Sequence, residues 1–210
     1  LSSIGKFMHI AIFDRMEECT DEEVQRLLPL VNTQRREQAL RYKHIFGQFC
    51  CLKSWMMLAE SLQNKGFGLE DWCYNEYGKP FWPNGPYFSI SHCKHGIAVA
   101  IDEHPIGIDI EAIRHADDDL LARTMNKFEQ SKIKNQKSKI ESDREFTRLW
   151  TLKEAIVKAQ GVGIQSFEQL QTVIDNRESN IETFEKEKYI YSIAYGKLCS
   201  ISAKVQAADL

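Results

Sequence analysis

Three carboxylates and a lysine in this sequence have the types and spacings of a cation site that also receives an anion. Asp109 and Glu111 stand in Ile106-Gly107-Ile108-Asp109-Ile110-Glu111, where isoleucine alternates with Gly, Asp and Glu. In an extended strand that period of two sends the isoleucines to one face and both acids to the other. Same-face neighbours lie about 6 to 7 Å apart, twice the rise per residue, so both carboxylates can reach one hard cation or its bound waters. A half-buried strand with a solvated acidic face explains the same alternation. Further along, Trp150, Lys153, Glu154, Val157 and Lys158 recur at spacings of three and four, which stacks Glu154 on Lys158 along a helix. Alone, that is an ordinary surface ion pair. Folded against the strand, Glu154 becomes a third acid. A hard cation such as Mg²⁺ takes a few carboxylates plus substrate phosphates, and lysines beside it cancel phosphate charge, so the expected ligand is a metal-chelated pyrophosphate.

Two turns add polar groups. Tyr77-Gly78-Lys79-Pro80 sets a lysine in a Pro-fixed turn, and Ser89-Ile90-Ser91-His92 ends a strand with a hydroxyl and an imidazole. Read singly, these are a solvated lysine and a structural histidine. Ser91 and His92 do not make a nucleophilic triad: there is no G-x-S-x-G elbow, and adjacent strand residues point to opposite faces. Arg35, Arg36, Arg41 and Lys43 form a basic cluster fit for a terminal phosphate or an acidic partner, or equally for a solvated helix face. The sequence holds neither a P-loop nor G-x-G-x-x-G, which disfavours P-loop NTPases and Rossmann dehydrogenases.

The elements that must position these groups mix helix and short strand. Met8 to Phe13 is a strand-like run, Thr20-Asp21-Glu22-Glu23 carries a capping-box pattern for a short helix ending near Pro29, and Asn32-Thr33 opens the longest helical pattern, continuing to Leu62 with Gly47 its weak point. Asn64-Lys65-Gly66-Phe67-Gly68 ends it by turn chemistry. Short strands follow around Trp72–Asn75, Tyr87–Ser91, Ile97–Ile101 and Ile106–Glu111, and read as a meander closed by the acidic strand. His115 to Asp119 is a helix entry, Asn126 to Asp143 a mobile loop or frayed helix, and Glu145 to Gln160 a second long helix stopped by Gly161 and Gly163. Beyond them come an apolar segment at Phe167–Ile174, a polar loop, and a hairpin of Tyr189–Tyr195 with Leu198–Val205.

The chain has 210 residues, 43% hydrophobic and 27% charged, values of a soluble globular protein with room for a real core. With 27 Lys+Arg against 30 Asp+Glu, the formal charge is −3, so no overall field attracts nucleic acid and any anion site is local. The six cysteines show no zinc-ligand spacing and read as reduced thiols of a cytoplasmic protein. No apolar run approaches the ~18 residues of a membrane span and no signal-peptide pattern opens the chain; Leu1 to Phe7 reads as an upstream extension.

In order and interval, the Gly-Lys-Pro turn, Ile-Ser-His, Gly-Ile-Asp-Ile-Glu and Trp-x-x-Lys-Glu-Ala-x-x-Lys resemble the Sfp-type 4′-phosphopantetheinyl transferases, from the Met8 strand to the Gly163 turn. The last two motifs together are specific and the first two supporting. The resemblance implies an α+β fold of two similar halves, 1–105 and 106–210, related by a pseudo-twofold axis, with coenzyme A and Mg²⁺ in the cleft between them. It implies transfer of the phosphopantetheine arm to a serine of an apo acyl or peptidyl carrier protein, with release of adenosine 3′,5′-bisphosphate. By the same resemblance Asp109, Glu111 and Glu154 hold the metal, and Lys158 touches the phosphates. Lys79, Ser91 and His92 line the coenzyme site, and Arg35 lies near the adenosine 3′-phosphate. Glu154 is the first candidate for general base and Glu129 the second, although Thr124-Met125 replace the family's phenylalanines before it. Gln38 and Cys51 stand where a basic residue and a hydroxyl or arginine are common, so the grip on the 3′-phosphate is expected to be weaker or to use Arg41. Lys127, Lys132, Lys134, Lys137 and Lys139 are the candidate patch for an acidic carrier, and a monomer is the default. The rival functions are a Mg²⁺-dependent nucleotide pyrophosphohydrolase and a non-catalytic module that binds carrier protein or coenzyme A.

Overall fold

Ile97, Val99 and Ile101 alternate with Ala98 and Ala100 in β5 (Gly96–Asp102), a strand buried along its whole length. Burial on both faces makes it the centre of a sheet: β1 (Met8–Phe13) and β4 (Tyr87–Cys93) flank it, both antiparallel, in the order β1-β5-β4. The computed structural model describes residues 8–62, 72–83, 85–163, 170–171 and 180–196. The turn expected at 64–68 and the segments 1–7, 167–169, 172–174 and 198–205 lie outside the described residues.

The large side chains of β5 face three helices. α1 (Asp21–Leu27) starts where expected, with the Thr20 hydroxyl accepting the Glu23 amide at 3.2 Å. The long helix expected from Asn32 to Leu62 is two helices, α2 (Thr33–Leu40) and α3 (Ile45–Leu62). The chain leaves the helix after Leu40 and folds Tyr42 back over Gly47, where a Cβ would lie 2.6 Å from the Tyr42 ring. Gly47 therefore marks the close approach that ends the pattern. Phe49, Leu52, Trp55 and Leu58 of α3 form one core with Phe88, Val99 and Ile101.

The small side chains of β5 face a second sheet. β6 (Ile106–Ala112), β8 (Tyr189–Tyr195) and β7 (Asn180–Glu185) pair antiparallel in the order β6-β8-β7. Ile106, Ile108 and Ile110 pack with Ile193 against Ala98 and Ala100. The acidic strand therefore does not close a meander. β6 takes its ladder from β8 and leaves β5 unpaired with it, because its isoleucine face is consumed in the stack of sheet on sheet. β8 has β6 on one side and β7 on the other, and β7 lies where a polar loop was expected.

The opposite face of β6 belongs to α6 (Lys139–Gln160), which begins six residues earlier than expected and ends at Gly161 with φ +77°. A Cβ on Gly107 would overlap the backbone of Ala155 and Ala159, so this glycine lets helix and strand touch. Most of 126–143, expected as a mobile loop or frayed helix, is capped helix: α5 (Lys127–Lys134) opens on a capping box of Asn126 and Glu129, and Ser138 caps α6. With α4 (Asp118–Thr124), capped by Asp117, it covers the Phe146 and Leu149 side of α6. A small hairpin of β2 (Cys73–Tyr74) and β3 (Pro80–Phe81) completes the described elements. The result is a mixed α+β fold with two sheet regions, and among the described residues no helix is long and apolar enough to cross a membrane.

Candidate active site

One face of β4 carries Ser89 and Ser91, and both reach β6. The Ile108 amide donates to the Ser89 hydroxyl at 3.1 Å, and the Ser91 hydroxyl donates to Asp109 Oδ1 at 2.7 Å. From the end of α6, Lys158 Nζ donates to the same Asp109 oxygen at 2.6 Å and to Ser91 Oγ at 3.0 Å. A strand of each sheet and a helix thus meet at one carboxylate that is 2% exposed. The other oxygen, Oδ2, is buried without a hydrogen-bond partner among the described residues. A buried, unpaired carboxylate oxygen is costly to leave, and a cation is the ligand that relieves it.

Glu111 and Glu154 complete the acidic wall. Burial, then repulsion from Asp109, pushes Glu154 up to about 7, although Lys158 and Arg114 oppose the rise. Burial and Asp109 also raise Glu111, against the pull of Arg114, Lys158 and the Trp150 indole. That indole N–H is itself buried and makes no hydrogen bond of ordinary geometry. Among the described residues no three acidic, histidine or cysteine side chains converge tightly enough to ligate one ion unaided. The donor set nonetheless fits a hard cation: oxygen donors only, carboxylates whose mutual repulsion a cation would relieve, and one orphaned carboxylate oxygen.

These residues line a cleft of about 430 Å³ together with Ser91, His92 and Lys158, and with Arg35, Gln38, Cys51, Trp72 and Tyr74. Its size suits a nucleotide-sized ligand. His92 sits beside the Phe46 ring at 5.8 Å, and desolvation inside the cleft followed by the Lys158 charge lowers its pKa. Arg35, 6% exposed, donates to the Cys51 carbonyl at 2.6 and 2.9 Å, to Ser54 Oγ at 3.0 Å and to Gln38 Oε1 at 3.0 Å, between the rings of Trp55 and Trp72. Gln38 in turn donates to the Tyr74 hydroxyl at 2.7 Å. No carboxylate pairs with Arg35 among the described residues, so its charge remains available to an anion. Most of its donors are already committed.

Two expected site residues are placed elsewhere. Lys79 Nζ donates to the carbonyls of Lys158, at 2.5 Å, and Ile106, and lines a separate pocket of about 270 Å³ with Tyr77 and Gly163. Burial and the Lys158 charge lower it to about 8. Glu129 is 8% exposed, caps α5, and pairs with the buried Lys153 ammonium at 2.6 Å. Neither side chain lines the cleft that holds the other acids. Arg41 lines a shallow neighbouring pocket with Glu37 and Tyr74. In the lysine patch, Lys132 pairs with Glu145 at 2.9 Å and Lys134 with Asp118 at 2.6 Å, leaving Lys127, Lys137 and Lys139 exposed and without an ion pair among the described residues.

Sequence reasoning passed over Asn75, Trp150 as a polar group, and Arg114. Asn75 donates to the Gly161 carbonyl at 2.7 Å and accepts the Tyr77 and Lys79 amides, which fastens the β2–β3 hairpin to the end of α6. An asparagine three residues before Gly-Lys-Pro was a legible turn signal. Gly107, quoted only within its motif, carried the signal of an isolated strand glycine.

Residues 105–204 match the family described as ACPS, the 4′-phosphopantetheinyl transferase superfamily. Among curated proteins, the chain is 32% identical over 151 residues to "4′-phosphopantetheinyl transferase ffp" of Bacillus subtilis, covering 69% of this chain and 66% of that protein. It is 39% identical over 129 residues to "4′-phosphopantetheinyl transferase gsp" of Aneurinibacillus migulanus, covering 55% and 52%. It is 30% identical over 151 residues to "4′-phosphopantetheinyl transferase Sfp" of Bacillus subtilis strain 168, covering 69% and 66%. The chain thus spans just under two thirds, or less, of the length of these relatives.

Proposed function

The chain belongs to the 4′-phosphopantetheinyl transferase superfamily, and we propose that it moves the phosphopantetheine arm of coenzyme A to a serine of an apo acyl or peptidyl carrier protein. The observation that carries this reading is the junction of Asp109, Ser91 and Lys158 in one cleft with Glu111 and Glu154. In this reading the halves 1–105 and 106–210 are pseudo-twofold relatives, each offering a sheet to the seam. Free thiols, including buried Cys50 and Cys51, suit a cytoplasmic setting.

Asp109, Glu111 and Glu154 would hold Mg²⁺. When bound, the ion supplies charge neutralisation at the pyrophosphate. Lys158, now on Asp109 Oδ1, is free to turn to the phosphate once the carboxylate has another cation. Ser91 keeps Asp109 oriented, and His92 and Arg35 contact the coenzyme, Arg35 as the lone cation of its end of the cleft. Gln38 and Cys51 make that end less basic than the family pattern, and Arg41 stands outside it.

The serine oxygen attacks the phosphorus that bears pantetheine, and the bond from that phosphorus to the bridging oxygen breaks. Adenosine 3′,5′-bisphosphate leaves with the electron pair. Such a transfer needs alignment and charge neutralisation more than covalent help. Glu154 takes the serine proton directly or through a water it holds. Glu129 is left out of the chemistry because its carboxylate is committed to Lys153 and to the α5 cap. Lys79 acts on the site through the backbone of residue 158.

The test is transfer to an apo carrier protein by Asp109→Ala and Glu154→Ala variants with native circular dichroism. Both should lose transfer by about a hundred- to a thousandfold, the scale of losing one preorganised electrostatic contact in the transition state. Full activity in either sinks the assignment. Coenzyme A cleavage by the wild-type protein at a rate indifferent to carrier would instead make it a pyrophosphohydrolase, and tight coenzyme binding without turnover a binding module.

A further inference from the structure

Phe146, Trp150, Glu154 and Lys158 fall every fourth residue on α6 and form one stripe along the helix, running beside β6. The lower half of the stripe serves the cleft. Its upper half, Phe146 and Trp150, receives a residue with no role so far. The Arg114 guanidinium lies 5.0 Å from the Trp150 ring and 5.6 Å from that of Phe146. Its backbone amide donates to Thr147 Oγ1 at 3.2 Å, so both ends of the residue are fixed to α6. It lies two residues beyond the end of β6 and is exposed.

Three further facts define what this cation faces. It stands over Trp150, one helical turn before Glu154, and three residues after Glu111, so it sits at the end of the acidic wall. No carboxylate approaches it within ion-pair distance among the described residues. Finally, it does not line the cleft, whose lining residues on β6 stop at Glu111. An exposed guanidinium held over two rings has little side-chain freedom left to lose on meeting a ligand.

The geometry points to Arg114 as a specificity residue for the acceptor protein: it receives a carboxylate of the carrier that lies near the serine being modified. A phosphate of coenzyme A would need Arg114 inside the cleft, whereas a protein that offers its serine at the mouth must pass over this guanidinium. A planar fork matches a carboxylate with two parallel hydrogen bonds.

This inference rests on the transferase reading, and its test separates the two. Arg114→Gln and Arg114→Glu variants are assayed with coenzyme A, Mg²⁺ and an apo acyl carrier protein, with melting temperatures to verify the fold. The expected result is a rise in acceptor KM of about tenfold for R114Q and more for R114E, the scale of one charged hydrogen bond. The coenzyme KM and kcat stay within about twofold. Reversal of a single acid near the carrier serine to lysine should restore R114E and weaken the wild-type protein. An unchanged acceptor KM overturns the inference, and so does a change confined to coenzyme KM or to kcat. If the wild-type protein transfers nothing, the transferase reading fails on its own. Binding of fluorescently labelled apo carrier protein then decides the matter: R114Q must weaken it about tenfold, and equal binding overturns the role.

Discussion

Replacing Glu154 by glutamine should stabilise the metal-free protein at alkaline pH while abolishing transfer. The carboxyl ordinarily titrates at 4.5 and is pushed up to about 7 in the fold, first by burial and then by Asp109. The folded chain therefore holds this proton more tightly than the unfolded chain. Stability from the group is fully present below about 4.5 and is lost as pH rises through about 7. At about 1.4 kcal/mol per tenfold change in proton affinity, the ceiling is about 3 kcal/mol. Glu154 is only half-buried, so solvent screening reduces this to about 2 kcal/mol. For a chain of this size that is a melting-temperature gain of about 4 to 8 °C. The assay is thermal unfolding followed by circular dichroism, with chelator, at pH 8 and near pH 4.5. Glu154→Gln should melt higher than wild type at pH 8 and nearly together with it near pH 4.5. Equal melting at pH 8, or an equal gain at both pH values, would refute the electrostatic argument.

Other perturbations probe the frame around the site. Gly107→Ala drives a Cβ into the backbone of Ala155 and Ala159 and should cost about 3 kcal/mol or more, read as a lower denaturant midpoint. Glu129→Ala strands the buried Lys153 ammonium and should cost about 3 to 5 kcal/mol. Transfer by the variant molecules that remain folded, measured at low temperature, should persist; its complete loss would return Glu129 to the chemistry. Adding Mg²⁺ at pH 8 should raise the melting temperature of wild type but not of Asp109→Ala, as thermal shift across a magnesium titration would report.

The site was legible where one residue's spacing fixed its direction. Alternation alone put Asp109 and Glu111 on one face of β6, and helical spacing alone put Glu154 above Lys158. What each face would meet was not legible. The isoleucine face of β6 looked like the edge of a meander, yet Ala98 and Ala100 on β5 present the small surface that a second sheet can stack on. The lysine-rich stretch after Asn126 looked frayed by composition, while its Asn-x-x-Glu and Ser-x-x-Glu caps specified two helix starts. Capping geometry outweighed average polarity there. Glu129 illustrates the limit for function: its place in the sequence suited a base, but its ion-pair partner Lys153 comes from another helix, which no spacing announces. Arg114 had no signal, since a guanidinium over two rings is a tertiary fact.

The central claim is most directly tested by the intact mass of an apo acyl carrier protein incubated with this protein and coenzyme A, with and without Mg²⁺. The account predicts a gain of one phosphopantetheine arm on each carrier, only with Mg²⁺, and none when the acceptor serine is changed to alanine. An unmodified carrier, with coenzyme A either intact or hydrolysed, would contradict it.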